Sequence, residues 1–458
     1  MAVLDIELRR ALKQFGQADA EKRVRAIDRI ATFADFVEPA AKALIGALND
    51  PDSRVKGFAA QCIGEVSPPI KAAIPPLLRT LKDQNASIRE SAVTALYHMG
   101  PDSSEAVTSL IEAISDPSIA HLAMQVLAVI GPPAKAAIPA LIKALGNIVL
   151  SYYAAYALGG IGAEARQAVP LLTPFLKSPH IKLRRSAADA LGRIGPAAET
   201  AVPSLMEAYR DHEFLERASR NCHQFSGRDV RNKYAGHPGL LQVDIGLAVW
   251  RISEDPLALD MLVDRFDDAT ASVRICALDG VRELGLRAAP AVPDIARLTD
   301  DPEVWVRYHA VRALAPLAKT VAGVVQVFLT ALGDADPLVR FAAATVLGQL
   351  GDLAAPAITP LFALLNDSKH MVQAAAADAL WDLGHREAGL DKLIGMLEQP
   401  DEDKMTAAWH LASIGPPARR ALPALVKVRH SSDVFVRCSA TRAIERIAGS
   451  QKTIEDSP

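Results

Sequence analysis

The sequence predicts an all-α protein, a right-handed α-α superhelix in which about thirteen helix pairs stack into one solenoid. Three observations carry this. A phrase of a branched residue, a basic one, an alanine-rich stretch, Leu and a final apolar-Gly recurs down the chain. It reads Ile88-Arg89…Leu96…Met99-Gly100, Leu183-Arg184…Leu191…Ile194-Gly195 and Val339-Arg340…Leu347…Leu350-Gly351. Its last position falls at Ala31, Ser67, Gly100, Gly131, Gly162, Gly195, Ser253, Gly285, Ala318, Gly351, Gly384, Gly415 and Ala448. Apart from one interval the spacings are 31–36 residues, mostly 33, which is the period of stacked repeat arrays. Composition agrees: half the residues are hydrophobic but only 5% are aromatic, so Ala, Leu, Val and Ile must fill closely packed helix contacts. A length of 458 residues would suggest about three globular domains, but an array buries one continuous core. Residues 1–449 are therefore expected to form a single array, with 450–458 a disordered tail.

Each unit is expected to hold two helices. In helix B the residues 12, 8, 4 and 1 positions before the final Gly are apolar: Ile88, Ala92, Leu96 and Met99 in one unit, Val273, Ala277, Val281 and Leu284 in another. That spacing is a helical stripe facing a core. The Gly fits a left-handed position just past the helix end. Eight residues later a proline opens helix A, at Pro39, Pro75, Pro139, Pro170, Pro203, Pro293 and Pro423. Proline is tolerated there because the N–H it lacks would have no partner. A short polar turn then supplies a cap for the next helix B, for example Asp433 before Val434.

An acid stands 17 positions before the final residue at Asp50, Asp83, Asp268, Asp301, Asp334, Asp367 and Glu398. A base stands 11 before it at Lys56, Arg89, Arg184, Arg274, Arg307, Arg340, Lys404 and Arg437. These rows are expected to pair between successive units as a ladder that fixes register, rather than to bind a ligand. The units ending at Gly131 and Gly162 lack it, with Ala120 and Ser151 at the base position.

The phrase Val339-Arg340-Phe341-Ala342-Ala343-Ala344…Leu347-Gly348…Leu350-Gly351 resembles a HEAT repeat, and the resemblance extends over about residues 1–449. The short period is closer to the HEAT-like repeats of phycobilisome lyases than to longer HEAT units. The resemblance implies the fold. It leaves function open, because such arrays include scaffolds, adaptors, bilin lyases, a hydroxylase and DNA glycosylases. The hydroxylase needs several His-Glu dyads, and only His212-Glu213 occurs.

Bulk properties narrow the classes. Net charge is −3, which argues against tracking a phosphate backbone by charge. Residues 1–210 carry 23 basic and 20 acidic groups, while 240–458 carry 22 and 29. Cys62, Cys222, Cys276 and Cys438 are far apart and form no CxxC pair. That spacing suits a reduced, cytoplasmic setting. The first residues read as an amphipathic helix rather than a signal peptide. No stretch of 18 apolar residues exists, so no membrane span is expected.

Two departures from the repeat point to function. Between Gly195 and Ser253 lie 58 residues, and the excess is an insertion at 211–239 between helices A and B of one unit. Asp211 to Arg220 could lengthen helix A, and Asn221 to Gly239 reads as a polar loop. Its Cys222, His223, Arg228, Tyr234 and His237 are candidate contacts of a binding loop or lid. The spacing fits no metal-finger pattern, so no metal is assigned. No third partner or oxyanion device accompanies Cys222 and His223, so no nucleophile is assigned either.

The other departure is on helix B opposite the core stripe, 10, 6 and 3 positions before the final residue. This face is expected to be the open inner surface. It carries His121, Tyr152, Tyr156, Trp250, Tyr308, Trp381 and Trp409 as candidate partner-binding residues, joined in the same columns by Val243, Leu247, Ile275, Phe341, Met405 and Tyr97. Large apolar groups on a solvent face bind something or are covered. Tight curvature burying the rings against adjacent units is the competing reading. The leading expectation is a non-catalytic, monomeric scaffold or adaptor, without a cofactor, that binds a protein partner along this face. A bilin-lyase-like or other small-molecule-handling protein using the insertion is the alternative, marked by a deep pocket near Trp250. Nucleic-acid binding ranks last.

Overall fold

A computed structural model describes residues 2–31, 38–67, 69–222, 237–431 and 433–448. Helices make up the secondary structure of these residues, and no strand occurs among them. They form thirteen A–B pairs, from Ala2–Phe15 with Ala20–Ala31 to Leu422–Val428 with Val434–Ala448. The fold is an all-helical repeat solenoid. The chain divides into two compact units, Met1–Ala258 and Leu259–Pro458, with seven pairs in the first and six in the second.

In the first unit the expected stripe is the core: Ile88, Ala92, Leu96 and Met99 are all buried. Cys62 is buried among such residues, and burial pushes its thiol up to about 12. In the second unit Val273, Ala277, Val281 and Leu284 are buried likewise. Helix B starts are capped from the preceding turn. Asp52, Asn85 and Asp336 each accept from the backbone N–H two residues on, and Asp433 accepts from Val436.

The turns between pairs differ from the sequence expectation in two ways. Gly131, Gly162, Gly195 and Gly415 have φ between 72° and 77°, but ψ lies between −144° and −142°. This is not the left-handed helical region but the one beyond it, which is essentially restricted to glycine. The chain therefore does not wander into helix A. It reverses at Gly and enters a 3-10 turn, such as Pro132–Ala137, that runs directly into Ile138–Leu145. The proline eight residues after the final position, at Pro139, Pro203 and Pro293, then falls in the first turn of the α-helical segment, after the 3-10 turn has already begun the pair. At Ser253 the repeat lacks glycine, and the left-handed conformation passes to Glu254, at φ 51° and ψ 29°.

The insertion also differs. Helix Val202–Tyr209 ends at Arg210, and a separate helix His212–Cys222 follows. Asp211 explains the break. One carboxylate oxygen takes the ladder bond from Arg184 at 2.8 Å, and the other accepts from Phe214 N–H, starting the new helix. Phe214 and Leu215 are buried, and the Arg184 guanidinium stacks 3.4 Å from the Phe214 ring centroid. His237 caps Pro238–Ser253, its Nδ1 accepting from Gly239 N–H. His223, Arg228 and Tyr234, the side chain of Cys222 and the tail from 449 onward lie outside the described residues.

Candidate functional site

The ladder forms over part of the expected rows; Asp268 and Glu398 have Leu241 and Met371, not a base, 27 residues before them. Arg23–Asp50, Lys56–Asp83, Arg89–Asp116 and Arg184–Asp211 occur in the first unit, and Arg274–Asp301, Arg307–Asp334 and Arg340–Asp367 in the second. Every pair spans 27 residues. Each base thus reaches the acid of the next turn. Lys404 departs from the row and pairs with Asp401 of its own helix. Its counterpart acid would fall at Ser431, which carries no charge.

Successive B helices approach through glycine. In the first unit an added Cβ at Gly159 would lie 2.7 Å from Ala190 Cα, and at Gly192 it would lie 2.7 Å from Ala248 Cα. In the second, Gly348 would meet Ala379 Cα at 2.8 Å. These glycines occupy the position three before the final residue. That column was expected on the open face; the structure places its glycines at the helix–helix contact, while Tyr97 in the same column stays exposed. Trp250 and Trp381 share the column and are accordingly part-buried, Trp381 against the core of its unit. Val243 is buried in the helix on which the inserted helix packs. In the columns at 6 and 10, Trp409 is 63% exposed and Tyr152 42%, while Val243 and Ala374 are buried.

In the first unit, helices Ala120–Ile130, Ser151–Ile161, Ile181–Ile194 and Pro238–Ser253 bring one constellation together. His121 and Tyr153 have ring centroids 5.4 Å apart, and Tyr152 meets Tyr153 edge-on at 5.0 Å. Burial pushes the Tyr152 phenol upward. Arg193 lies over the Tyr156 ring at 5.4 Å. Its guanidinium bonds Asp189 at 2.9 Å, and Arg251 reaches the same carboxylate at 3.3 Å. Arg185 bonds Asp244 at 2.6 Å. Burial pushes the Asp244 carboxyl above the usual carboxylate range, opposed by Arg185. A groove of about 450 Å³ runs beside this network, floored by Gly159, Gly160 and Gly192 and walled by Arg193 and Arg251. Trp250 is not among its lining residues.

Sequence reasoning found His121, Tyr152 and Tyr156 but missed Tyr153 and the charged network. Its partners are 59 and 62 residues apart, because the insertion intervenes. One signal was available: Arg185 and Asp189 put charges in the inner columns at 10 and 6.

In the second unit Tyr308 meets Trp305 edge-on at 5.8 Å, and Arg312 lies over its ring at 5.4 Å. Arg386 lies 5.7 Å from the Trp381 ring. Trp409 stacks edge-on with His410, whose Nδ1 sits 3.0 Å from Asp378. Phe435, 73% exposed, was also missed. It falls one turn before the columns considered. Among the described residues no group of acids, histidines and cysteines could hold a metal ion, and no helix is long and apolar enough to cross a membrane.

A solenoid of paired helices with a glycine-spaced B layer defines a helical-repeat protein. A family model for HEAT repeats matches residues 8–96, 41–128, 138–220, 293–381 and 325–408, and the chain belongs to that family. Among solved structures, a chain of the Kap95:Nup1 complex is similar, at 12% identity and TM-score 0.53, covering 97% of this chain and 74% of that one. Importin beta is similar at 13% identity and TM-score 0.49, covering 97% and 62%. An engineered protein covers 97% and 99% at 20% identity, with TM-score 0.29. No curated protein matches the chain.

Proposed function

We propose that this protein is a non-catalytic scaffold or adaptor that binds protein partners along the helix B face. The observation that carries the reading is the set of exposed rings in the columns at 6 and 10, Trp409 in the second unit and Tyr152 in the first. Rings bury much area with few rotors and dominate binding hot spots. Family membership supports it, since a repeat array presents extended surface. The solved Kap95:Nup1 complex names a partner on a similar fold. The short period favours the short-period type of HEAT-like repeat, and the dispersed cysteines favour a reduced, cytoplasmic setting. The bilin-lyase-like reading depends on the Cys222 side chain and His223, which lie outside the described residues.

Capture from lysate by the intact chain, compared with Trp409→Ala, Tyr152→Ala and a 211–239 deletion and read by mass spectrometry, tests the reading. The expected result is a set of proteins depleted at least tenfold by one ring substitution, with melting temperature unchanged. Identical capture by both ring variants overturns it.

A further inference from the structure

The charged network in the first unit is not part of the ladder. Ladder bonds join residues 27 apart at the A–B turns. Arg185–Asp244 and Asp189–Arg251 instead cross between two B helices on their inner side. The helix stack does not need them, because glycine and alanine already hold these helices at contact: Gly192 meets Ala248 and Gly159 meets Ala190.

Three features meet here. Among the five side chains Arg185, Asp189, Arg193, Asp244 and Arg251, guanidiniums outnumber carboxylates three to two. Two of those guanidiniums converge on one carboxylate, Asp189, at 2.9 and 3.3 Å. Both also wall the groove, beside Ala128, Gly160 and Gly162. Tyr156 lies under Arg193, and Tyr152 is exposed one turn away. A guanidinium fork fits a carboxylate in two parallel bonds, and a groove open to solvent admits an extended chain.

We propose that this groove binds an extended acidic protein segment, one of whose carboxylates takes the Arg193 and Arg251 guanidiniums in place of Asp189 while a neighbouring apolar residue packs on Tyr152 and Tyr156. The proposal rests on the scaffold reading above and names the partner class for the first unit. Asp189 is an internal stand-in for the incoming carboxylate. It keeps two arginines oriented and compensated until the segment arrives.

Fluorescence anisotropy on the full chain tests this, with fluorescein-labelled, end-capped dodecapeptides of alternating Leu-Glu, Leu-Gln and Leu-Lys. The Leu-Glu peptide is expected to bind, at least tenfold more tightly than the other two, and to weaken with added salt. Arg193→Gln and Arg251→Gln should each lower its affinity about tenfold or more. Asp189→Asn should raise it, because the internal competitor is gone. Arg340→Gln, in the ladder of the other unit, should leave it unchanged. Melting curves show whether each variant is folded. If an arginine variant unfolds, the sign of the Asp189→Asn effect decides. Equal binding of Leu-Gln or Leu-Lys, arginine variants that bind like wild type, or weaker binding by Asp189→Asn would each overturn the proposal. Tighter binding of a labelled oligo-dT with the same arginine dependence would also overturn it. If the peptides fail while ring-dependent capture persists, the scaffold reading stands and only the acidic assignment falls.

Discussion

Replacing Arg340 with Ala removes more than an ion pair. Its Nε and Nη2 each bond Asp367 at 2.8 Å, and its Nη1 donates to the carbonyls of Asp334 and Ala335 at 2.8 and 2.9 Å. One side chain therefore ties its own A–B turn to the next. The pair is largely sheltered, with side-chain exposures of 13% and 7%. Exposed pairs contribute about 0.2–1 kcal/mol, while breaking a fully buried one costs about 3–5 kcal/mol because a charge is stranded. Asp367 keeps the Lys369 N–H as a partner, which softens its loss. The expected cost is thus intermediate, about 2–3 kcal/mol. For a unit of some 150–250 residues this corresponds to a melting-temperature drop of roughly 5–10 °C. Urea denaturation followed by circular dichroism reads the loss, and Lys56→Ala calibrates it. Lys56 makes one bond to Asp83 at 2.6 Å with exposures of 22% and 18%, and an ammonium lacks the fork that reaches turn carbonyls. Lys56→Ala should cost under about half as much. A loss below about 0.5 kcal/mol for Arg340→Ala would refute the reasoning. Unchanged stability with abolished capture would show instead that the ladder is a binding site.

Gly192→Ala should destabilise by about 1–3 kcal/mol, since its Cβ would lie 2.7 Å from Ala248 Cα, a backbone atom. Gly57→Ala meets only Ser91 Oγ at 3.6 Å and should stabilise by about 0.5–1 kcal/mol through helix propensity; equal effects in thermal melts would contradict the close-approach argument. Acid should unfold the chain through the ladder. Burial alone would raise the carboxyls of Asp334 and Asp367, but Arg307 and Arg340 override it and both lie below the usual range. Their contribution is therefore complete above the unfolded carboxylate pKa near about 4 and is lost as pH falls through the lower folded values. Arg307→Ala and Arg340→Ala should flatten that acid limb in stability-versus-pH curves. Trp250→Ala is expected to lower the melting temperature, given its part-buried column, while Trp409→Ala should leave it nearly unchanged. The reverse order would restore the broader open face.

The fold was legible because each unit repeats its physics. A stripe such as Ile88, Ala92, Leu96 and Met99 says core wherever it recurs, and a base followed 27 residues later by an acid says register. Thirteen noisy copies of one pattern give what a single copy could not. The turn geometry was legible only in part. Glycine at the punctuation announces positive φ, but the choice between left-handed ψ and ψ near −142° depends on the 3-10 turn that follows. Nothing in one residue's identity encodes that.

The candidate site was legible where it obeys the repeat and hidden where it does not. Tyr152 and Trp409 fall in columns that helical period turns away from the core stripe, although Val243 and Ala374 in the column at 10 are buried. The column at 3 was misjudged in part, because an angle around one helix says nothing about the neighbour's distance. Gly159, Gly192 and Gly348 let the next B helix in to within backbone contact, and that approach closes the column where they stand, whereas Tyr97 in the same column stays exposed. The same glycines were the missed signal, since a small residue recurring at one helical position marks a close crossing. The charged network lay beyond reach for another reason. Asp189 and Arg251 become neighbours only if the 25 or so extra residues are looped out of the period. Once they are removed, Arg185, Asp189 and Arg193 face Asp244 and Arg251 across successive B helices. A column of charges inside an apolar inner face then stands out as the place where this array departs from its own repeat for a reason other than stacking.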